Sequence, residues 1–92
     1  MPTLDRKKVV SRREYVPDVS VWIALNLFHK RRALELTQGQ LARKAGVSFR
    51  RYQSIETAAT DNVTVLTLSA LAKALGVDIR ELFKPRKDYV RV

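Results

Sequence analysis

An all-α domain is the fold class that this 92-residue sequence predicts. Three observations carry it. Apolar residues recur at helical spacing, most clearly at Leu68, Leu71, Ala72 and Leu75, which fall at i, i+3, i+4 and i+7. Capping residues stand before the periodic runs, at Thr37, Ser48, Thr64 and Asp78. Gly46 and Gly76 follow two of the runs, where a left-handed residue closes a helix. The length holds one hydrophobic core. The expected organisation is a basic extension over 1–17, a helical domain over 18–83 and a basic tail over 84–92.

Residues 1–17 show no helical period. Lys7–Val16 is rich in Val, Arg and Tyr and is closed by Pro17; the tail, Lys84–Val92, has similar character behind Pro85. Both segments are β-prone, and the two extensions are candidates to pair as short antiparallel strands, although a lone two-stranded ribbon is marginal without packing. A first helix is expected from Asp18 or Ser20 to about Leu34. Seven of the eight residues Val21–Phe28 are apolar, interrupted by Asn26, which is more than one amphipathic stripe. Such a helix needs cover on more than one side, from the terminal arms or from a second subunit. A second helix over Gln38–Ala45 buries Leu41, Ala42 and Ala45, and a third spans Phe49–Thr57. The polar turn 58–62 leads to the amphipathic fourth helix, stopped by Gly76. A last turn or two after Asp78 is expected to face Ile79, Leu82 and Phe83 inward.

Composition narrows the function. Lys and Arg number 18 against 9 Asp and Glu, a formal net charge of +9, while the hydrophobic content of 46% is that of a chain that folds. The surplus is uneven. Residues 37–57 are strongly basic, with Arg43, Lys44, Arg50 and Arg51 against Glu56 alone, whereas 58–83 carry a net −1. A single Lys/Arg cluster is ordinarily a solvated face. Several basic segments around an uncharged one point instead to an electropositive surface and a polyanionic partner. There is no cysteine, hence no disulfide framework, zinc finger or thiol nucleophile, and the composition fits a reducing compartment. No apolar run reaches membrane-spanning length, and residues 1–10 lack the order of a signal peptide.

Catalysis finds little support. His29 has no ligand or acid partner at useful spacing, so it reads as a surface or boundary residue. Ser48 and Ser54 read as a cap and a surface contact. Gly39, Gly46 and Gly76 are too dispersed for a phosphate loop. No cofactor, metal or small-molecule ligand is expected, and the protein is not expected to be an enzyme.

The segment 37–57, TQGQLARKAGVSFRRYQSIET, is specific. Counting from Gln38, small Ala42 takes the fifth place and Gly46 the ninth. Leu41, Ala45, Val47, Tyr52 and Ile55 take the fourth, eighth, tenth, fifteenth and eighteenth. Ala42 lets two helices cross closely, Gly46 permits the turn, Val47 pins it, and Tyr52 with Ile55 anchors the second helix. Together they specify a helix-turn-helix, whose second helix enters the DNA major groove.

The run LTQGQLARKAGVS…SIE, followed by NVTVLTLSALAKALGVDIRELF, closely resembles the Cro/CI-type helix-turn-helix domain of phage repressors and xenobiotic-response-element regulators. The resemblance covers roughly Ser20–Phe83. It implies a compact five-helix lambda-repressor-like domain in a cytoplasmic protein of bacterial or phage origin, binding operator DNA as a symmetric homodimer. Glu56 falls at a position that is structural in the family and could pair with a nearby Arg. Three residues depart from the pattern: Glu35 replaces the usual glycine before Leu-Thr-Gln, Tyr52 is bulkier than the usual aliphatic, and Lys30 stands where an apolar residue is expected.

Helix geometry at 100° per residue assigns candidate roles. With Tyr52 and Ile55 turned inward, the opposite face presents Arg50, Gln53, Ser54 and Thr57. Arg50 lies in the first turn, where Arg bidentate to guanine is the commonest specific contact, and Ser54 lies one turn further on. Phe49 suits a thymine methyl or half-buried packing equally well. The resemblance adds base reading at Phe49, Arg50 and Ser54. Arg51, toward one edge, reads as a phosphate contact. Gln38 opens the second helix, where its side chain and free N–H groups can meet a phosphate. Arg43 and Lys44 are further phosphate candidates, with solvated surface an equal alternative. Thr60, Asn62 and Thr64 precede the fourth helix, at a second N-terminus that touches the DNA backbone in similar domains; Asn62 serves equally well as a turn former.

Two functions of different kind fit these residues. One is a free-standing transcriptional regulator, a repressor that binds a palindromic operator in double-stranded DNA as a homodimer. The other is an antitoxin-type DNA-binding protein whose terminal arms hold a partner protein.

Overall fold

Side-chain caps open the helices that follow the first, left-handed turns close the α-helices, and these local devices set the architecture. The computed structural model describes residues 19–60 and 62–87. Four α-helices follow in order, α1 (Val19–Ala33), α2 (Gln38–Ala45), α3 (Phe49–Glu56) and α4 (Val65–Leu75), and a 3-10 helix (Ile79–Phe83) completes the set. The described residues contain no strand, which is the all-α, lambda-repressor-like architecture expected.

Thr37, Ser48, Thr64 and Asp78 cap as their positions require, their side chains accepting from the backbone N–H groups of Gln40, Arg51, Thr67 and Arg80. At α2 the arrangement is reciprocal: the Gln40 side chain accepts from the Thr37 N–H at 2.8 Å, forming a capping box. At the other ends, Leu36 N–H donates to Arg31 O, Val47 N–H to Ala42 O, Ala59 N–H to Ser54 O and Val77 N–H to Ala72 O. Each bond spans a residue at positive φ: Glu35, Gly46, Ala58 and Gly76 respectively.

The core takes one fully buried large side chain from every element: Leu27, Leu41, Tyr52, Leu71 and Leu82. Burying each contributes about 1.5–3 kcal/mol of transfer free energy. Around them Ile23, Ala42, Ile55, Leu68, Ala72, Ala74 and Leu75 complete one cluster, with Val47 packed against it from the turn between α2 and α3. The helix-turn-helix pair α2–α3 is clasped between α4, which packs on α2, and α1, which packs on α3; the 3-10 helix joins α1 to α4.

α1 is apolar on more than one face because it serves two neighbours. Leu27 joins the main core, and Val21 and Ala24 form a second small cluster with Ala58. Asn26, which interrupts the apolar run, is 4% exposed and faces the end of the chain. Its amide donates to Leu82 O and Lys84 O, each at 3.0 Å, and its carbonyl accepts from Arg86 Nη1 at 3.1 Å. Lys30, one turn on, pairs with Glu81 at 3.5 Å, and Lys84 pairs with the other oxygen of Glu81 at 3.1 Å. The polar departures at Asn26 and Lys30 therefore anchor the 3-10 helix and the first residues of the tail to α1.

Some details differ from the sequence expectations. The fifth helix is a 3-10 helix of five residues. Phe83, expected to face inward, is exposed; Leu82 and the half-buried Ile79 fill that role. α1 stops at Ala33, and Thr57 is the C-cap of α3 rather than its last helical residue. The extension 1–17, the Asp18 cap and the strand pairing of the two ends lie outside the described residues.

Candidate nucleic-acid interface

The third helix is oriented by its buried face. Tyr52 and Ile55 enter the core, 0% and 2% exposed, so Arg50, Arg51, Gln53 and Thr57 are turned to solvent and Ser54 is half-buried. Arg50, Arg51 and Ser54 form one wall of an open groove whose far side is Thr60, Asn62 and Val63, with Ser48 also lining it. The groove brings candidate base readers on α3 together with candidate backbone contacts from the loop before α4.

Phe49 stands at the edge of this surface, 51% exposed, with its ring against the first turn of α2: a Cβ placed on Gly39 would lie 3.9 Å from Phe49 Cδ1. The ring is thus half exposed, beside the first turn of α2.

The cations differ in whether they take part in ion pairs. Among the described residues the ion pairs occupy Lys30, Arg31, Arg80 and Lys84. Arg43, Lys44, Arg50 and Arg51 take part in none of them, and all four are exposed. Four cations outside these ion pairs thus sit on the helix-turn-helix pair itself.

Beneath that surface lies a polar cluster. Arg31 Nε and Nη2 donate to the two carboxylate oxygens of Glu56 at 2.8 and 2.9 Å, a bidentate fork, and Nη1 donates to Leu36 O at 2.8 Å. Gln38 Nε2 donates to Glu56 Oε2 at 2.7 Å, and the Tyr52 hydroxyl donates to Glu56 Oε1. One carboxylate therefore ties the end of α1, the start of α2 and the body of α3. Burial alone would raise the Glu56 pKa, but the hydrogen bonds from Arg31, Tyr52 and Gln38 outweigh it and hold the carboxyl below its ordinary 4.5. Burial, then the bond to Glu56, pushes the Tyr52 hydroxyl above its ordinary range. The bulk of Tyr52 is explained here: its ring fills the core and its hydroxyl meets the carboxylate.

Other sequence candidates are partly committed within the fold. Gln38 is turned toward Glu56, which leaves the free N–H groups of the α2 first turn and one amide hydrogen for a phosphate. The Thr64 hydroxyl accepts from Thr67 N–H and donates to Thr67 Oγ1 at 2.9 Å, so it is occupied as a cap. Thr60 Oγ1 accepts from the Asn62 N–H at 3.1 Å, which shapes the turn and leaves the Asn62 side chain exposed beside the groove.

The sequence suggested that Glu56 pairs with a nearby Arg, but it assigned no role to Arg31 and gave Asn26 none beyond interrupting the apolar run. A signal for Arg31 was present. Glu56 lies one turn after Tyr52 on the inward face of α3, and a carboxylate there requires a buried cation. Among the described residues no acidic or histidine cluster suited to a metal ion occurs, and no helix is long and apolar enough to cross a membrane.

Comparison with protein families matches a helix-turn-helix family over residues 28–82, which spans both helices of the motif, α4 and most of the 3-10 helix. Neither the curated proteins nor the solved structures compared with the chain give a match.

Proposed function

The chain belongs to the Cro/CI-type helix-turn-helix family of DNA-binding regulators, and from that premise we propose that it is a repressor whose 18–83 domain binds a palindromic operator as a homodimer. α3 lies in the major groove, with Phe49, Arg50, Gln53 and Ser54 reading bases. Arg51, Arg43 and Lys44 neutralise phosphates, and the N-termini of α2 and α4, at Gln38 and at Thr60, Asn62 and Thr64, hold the flanking backbone.

The observation that carries this reading is the placement of four exposed cations on the helix-turn-helix pair, Arg50 and Arg51 among them lining the groove. Lys30, Arg31, Arg80 and Lys84 are paired within the protein, while the four on α2 and α3 are exposed and stand outside those ion pairs. Exposed positive charge beside a groove with hydroxyl and amide groups suits a polyanion with readable edges.

Glu56 acts beneath that surface as a positioning residue. It holds α3 at a set angle to the first turn of α2, so that a phosphate contact at Gln38 and base contacts at Arg50 are made in one register. Selection from randomised duplexes tests the proposal. An enriched inverted repeat is the result expected, and recovery of unrelated sequences would contradict specific reading.

A further inference from the structure

The described chain begins at Val19, and the packing of the next turn shows what that entry point stands beside. Val21 and Ala24 are buried against Ala58. Thr60, two residues after Ala58, lines the groove with Asn62 and Val63. Two residues of chain span at most about 7 Å, and Val19 lies about 3 Å along the helix axis from Val21. Residues 1–18 therefore join the fold on the order of 15 Å from the groove wall.

Their sequence suits a polyanion. Positions 6–13, RKKVVSRR, hold five cations and no acid in eight residues. Asp5, Glu14 and Asp18 flank the run and leave 1–18 at net +2. Arg13 stands six positions before Val19, a reach of up to about 20 Å, so Arg12 and Arg13 can come to the edge of the groove.

The body of the domain offers this run little countercharge. Its described acids are Glu35, Glu56, Asp78 and Glu81, and the last three are engaged by Arg31, by Arg80, and by Lys30 with Lys84. Glu35 alone stands outside those ion pairs, beyond the opposite end of α1 from Val19. The opposite charge comes instead from outside. Duplex seated in the groove carries a row of phosphates, one charge per about 1.7 Å of its axis, past the point where the run is attached. An acidic protein would match the charge but gives no reason for attachment beside the groove; DNA accounts for both.

The basic tail is placed differently. Lys84 and Arg86 are held by Asn26, which at 100° per residue points about 140° around α1 from Val21 and about 160° from Ala24. The described part of the tail thus lies on the side of α1 turned away from Ala58.

We propose that the basic run over 6–13 grips phosphates of the duplex flanking the half-site, with Arg12 and Arg13 nearest the groove, and that the tail does not. This rests on the DNA-binding reading above and extends its footprint.

Removing equal charge at two places separates position from net charge. In the full chain, Arg12→Ala with Arg13→Ala is compared with Lys87→Ala with Arg91→Ala. Each is measured on the selected site in a long duplex and in one trimmed to the bases beneath α3. Both variants are expected to unfold at the parent temperature. The Arg12 and Arg13 variant is expected to bind the long duplex about tenfold more weakly at about 0.1 M salt, with the slope of log affinity on log salt shallower by about 0.9 per phosphate lost. On the trimmed duplex it is expected to match the parent within about twofold, and the tail variant to match it on both.

An equal loss from the tail variant would reduce the effect to net charge and overturn the proposal. So would an Arg12 and Arg13 variant that keeps the parent affinity and slope on the long duplex, as an arm reserved for a protein partner would. Equal weakening on the trimmed duplex would place the arginines beneath α3 and overturn the flanking contact. In each of these cases the parent still selects its site, and the DNA-binding reading stands. A parent whose binding to duplex does not depend on salt removes that reading and this inference with it.

Discussion

Glu35 and Ala58 close their helices at φ 57° and 58°, in the left-handed region that Gly46 and Gly76 occupy at 73° and 74°. For a residue with a Cβ this conformation costs about 1–2 kcal/mol. At Ala58 the methyl is buried against Val21 and Ala24, a compensating contact. Glu35 is exposed and takes part in none of the described ion pairs. Glu35→Gly is therefore expected to stabilise the domain by about 0.5–1 kcal/mol, after allowing for the extra freedom of glycine in the unfolded chain, measured by denaturant unfolding.

Glu56 is the opposite case, a residue whose removal is costly. Glu56→Gln strips the fork from buried Arg31 and is expected to cost about 3–5 kcal/mol. The sign of the pH dependence follows from the lowered pKa. The stabilisation by Glu56 is fully present above the unfolded value of about 4.5 and is lost as pH falls through the lower folded value. An acid titration of stability that is steep below pH 4.5 in the parent and shallower in Glu56→Gln is the expected outcome. Caps and glycine closures were legible in the sequence because they depend on neighbours within a few residues. The partners of Asn26, at Leu82, Lys84 and Arg86, and of Arg31, at Glu56, stand more than 20 positions away and become visible only once α1 is packed.

At the scale of elements, the helix-turn-helix pair was legible because its spacing encodes a close crossing and a turn. The frame from Ala42 to Tyr52 holds in the structure, with Ala42 buried at 2% and Gly46 left-handed. The last helix was less legible. Asp78 announces where it begins, but nothing local distinguishes a 3-10 turn from an α-helix over five residues, and Phe83 was assigned inward by a spacing the tighter turn does not keep. The two arginines of α3 divide by position. Arg51→Ala or Arg43→Ala is expected to shallow the dependence of log affinity on log salt by about 0.9 for each phosphate no longer neutralised, with sequence preference unchanged. Binding measured across a salt series checks this. An affinity independent of salt would remove DNA as the partner.

At the scale of the molecule, some of the cations among the described residues are engaged within the fold, while Arg43, Lys44, Arg50 and Arg51 are exposed and outside its ion pairs. α1 ties its Arg31 end to the motif and its Asn26–Lys30 face to the start of the tail, so Lys84 and Arg86 belong to the folded body rather than to a separate arm. Asn26→Leu is expected to release that segment and to cost about 2 kcal/mol, since Leu82 O lies buried against it; proteolysis near Lys84–Lys87 that quickens in the variant checks this. The base-reading role of α3 is tested most directly by selecting binding sites from randomised duplexes with the parent and with Arg50→Ala side by side. Loss of guanine preference at one or two positions in each half-site, worth about 1–3 kcal/mol each, is the result the account requires. An identical site preference from both proteins would contradict it.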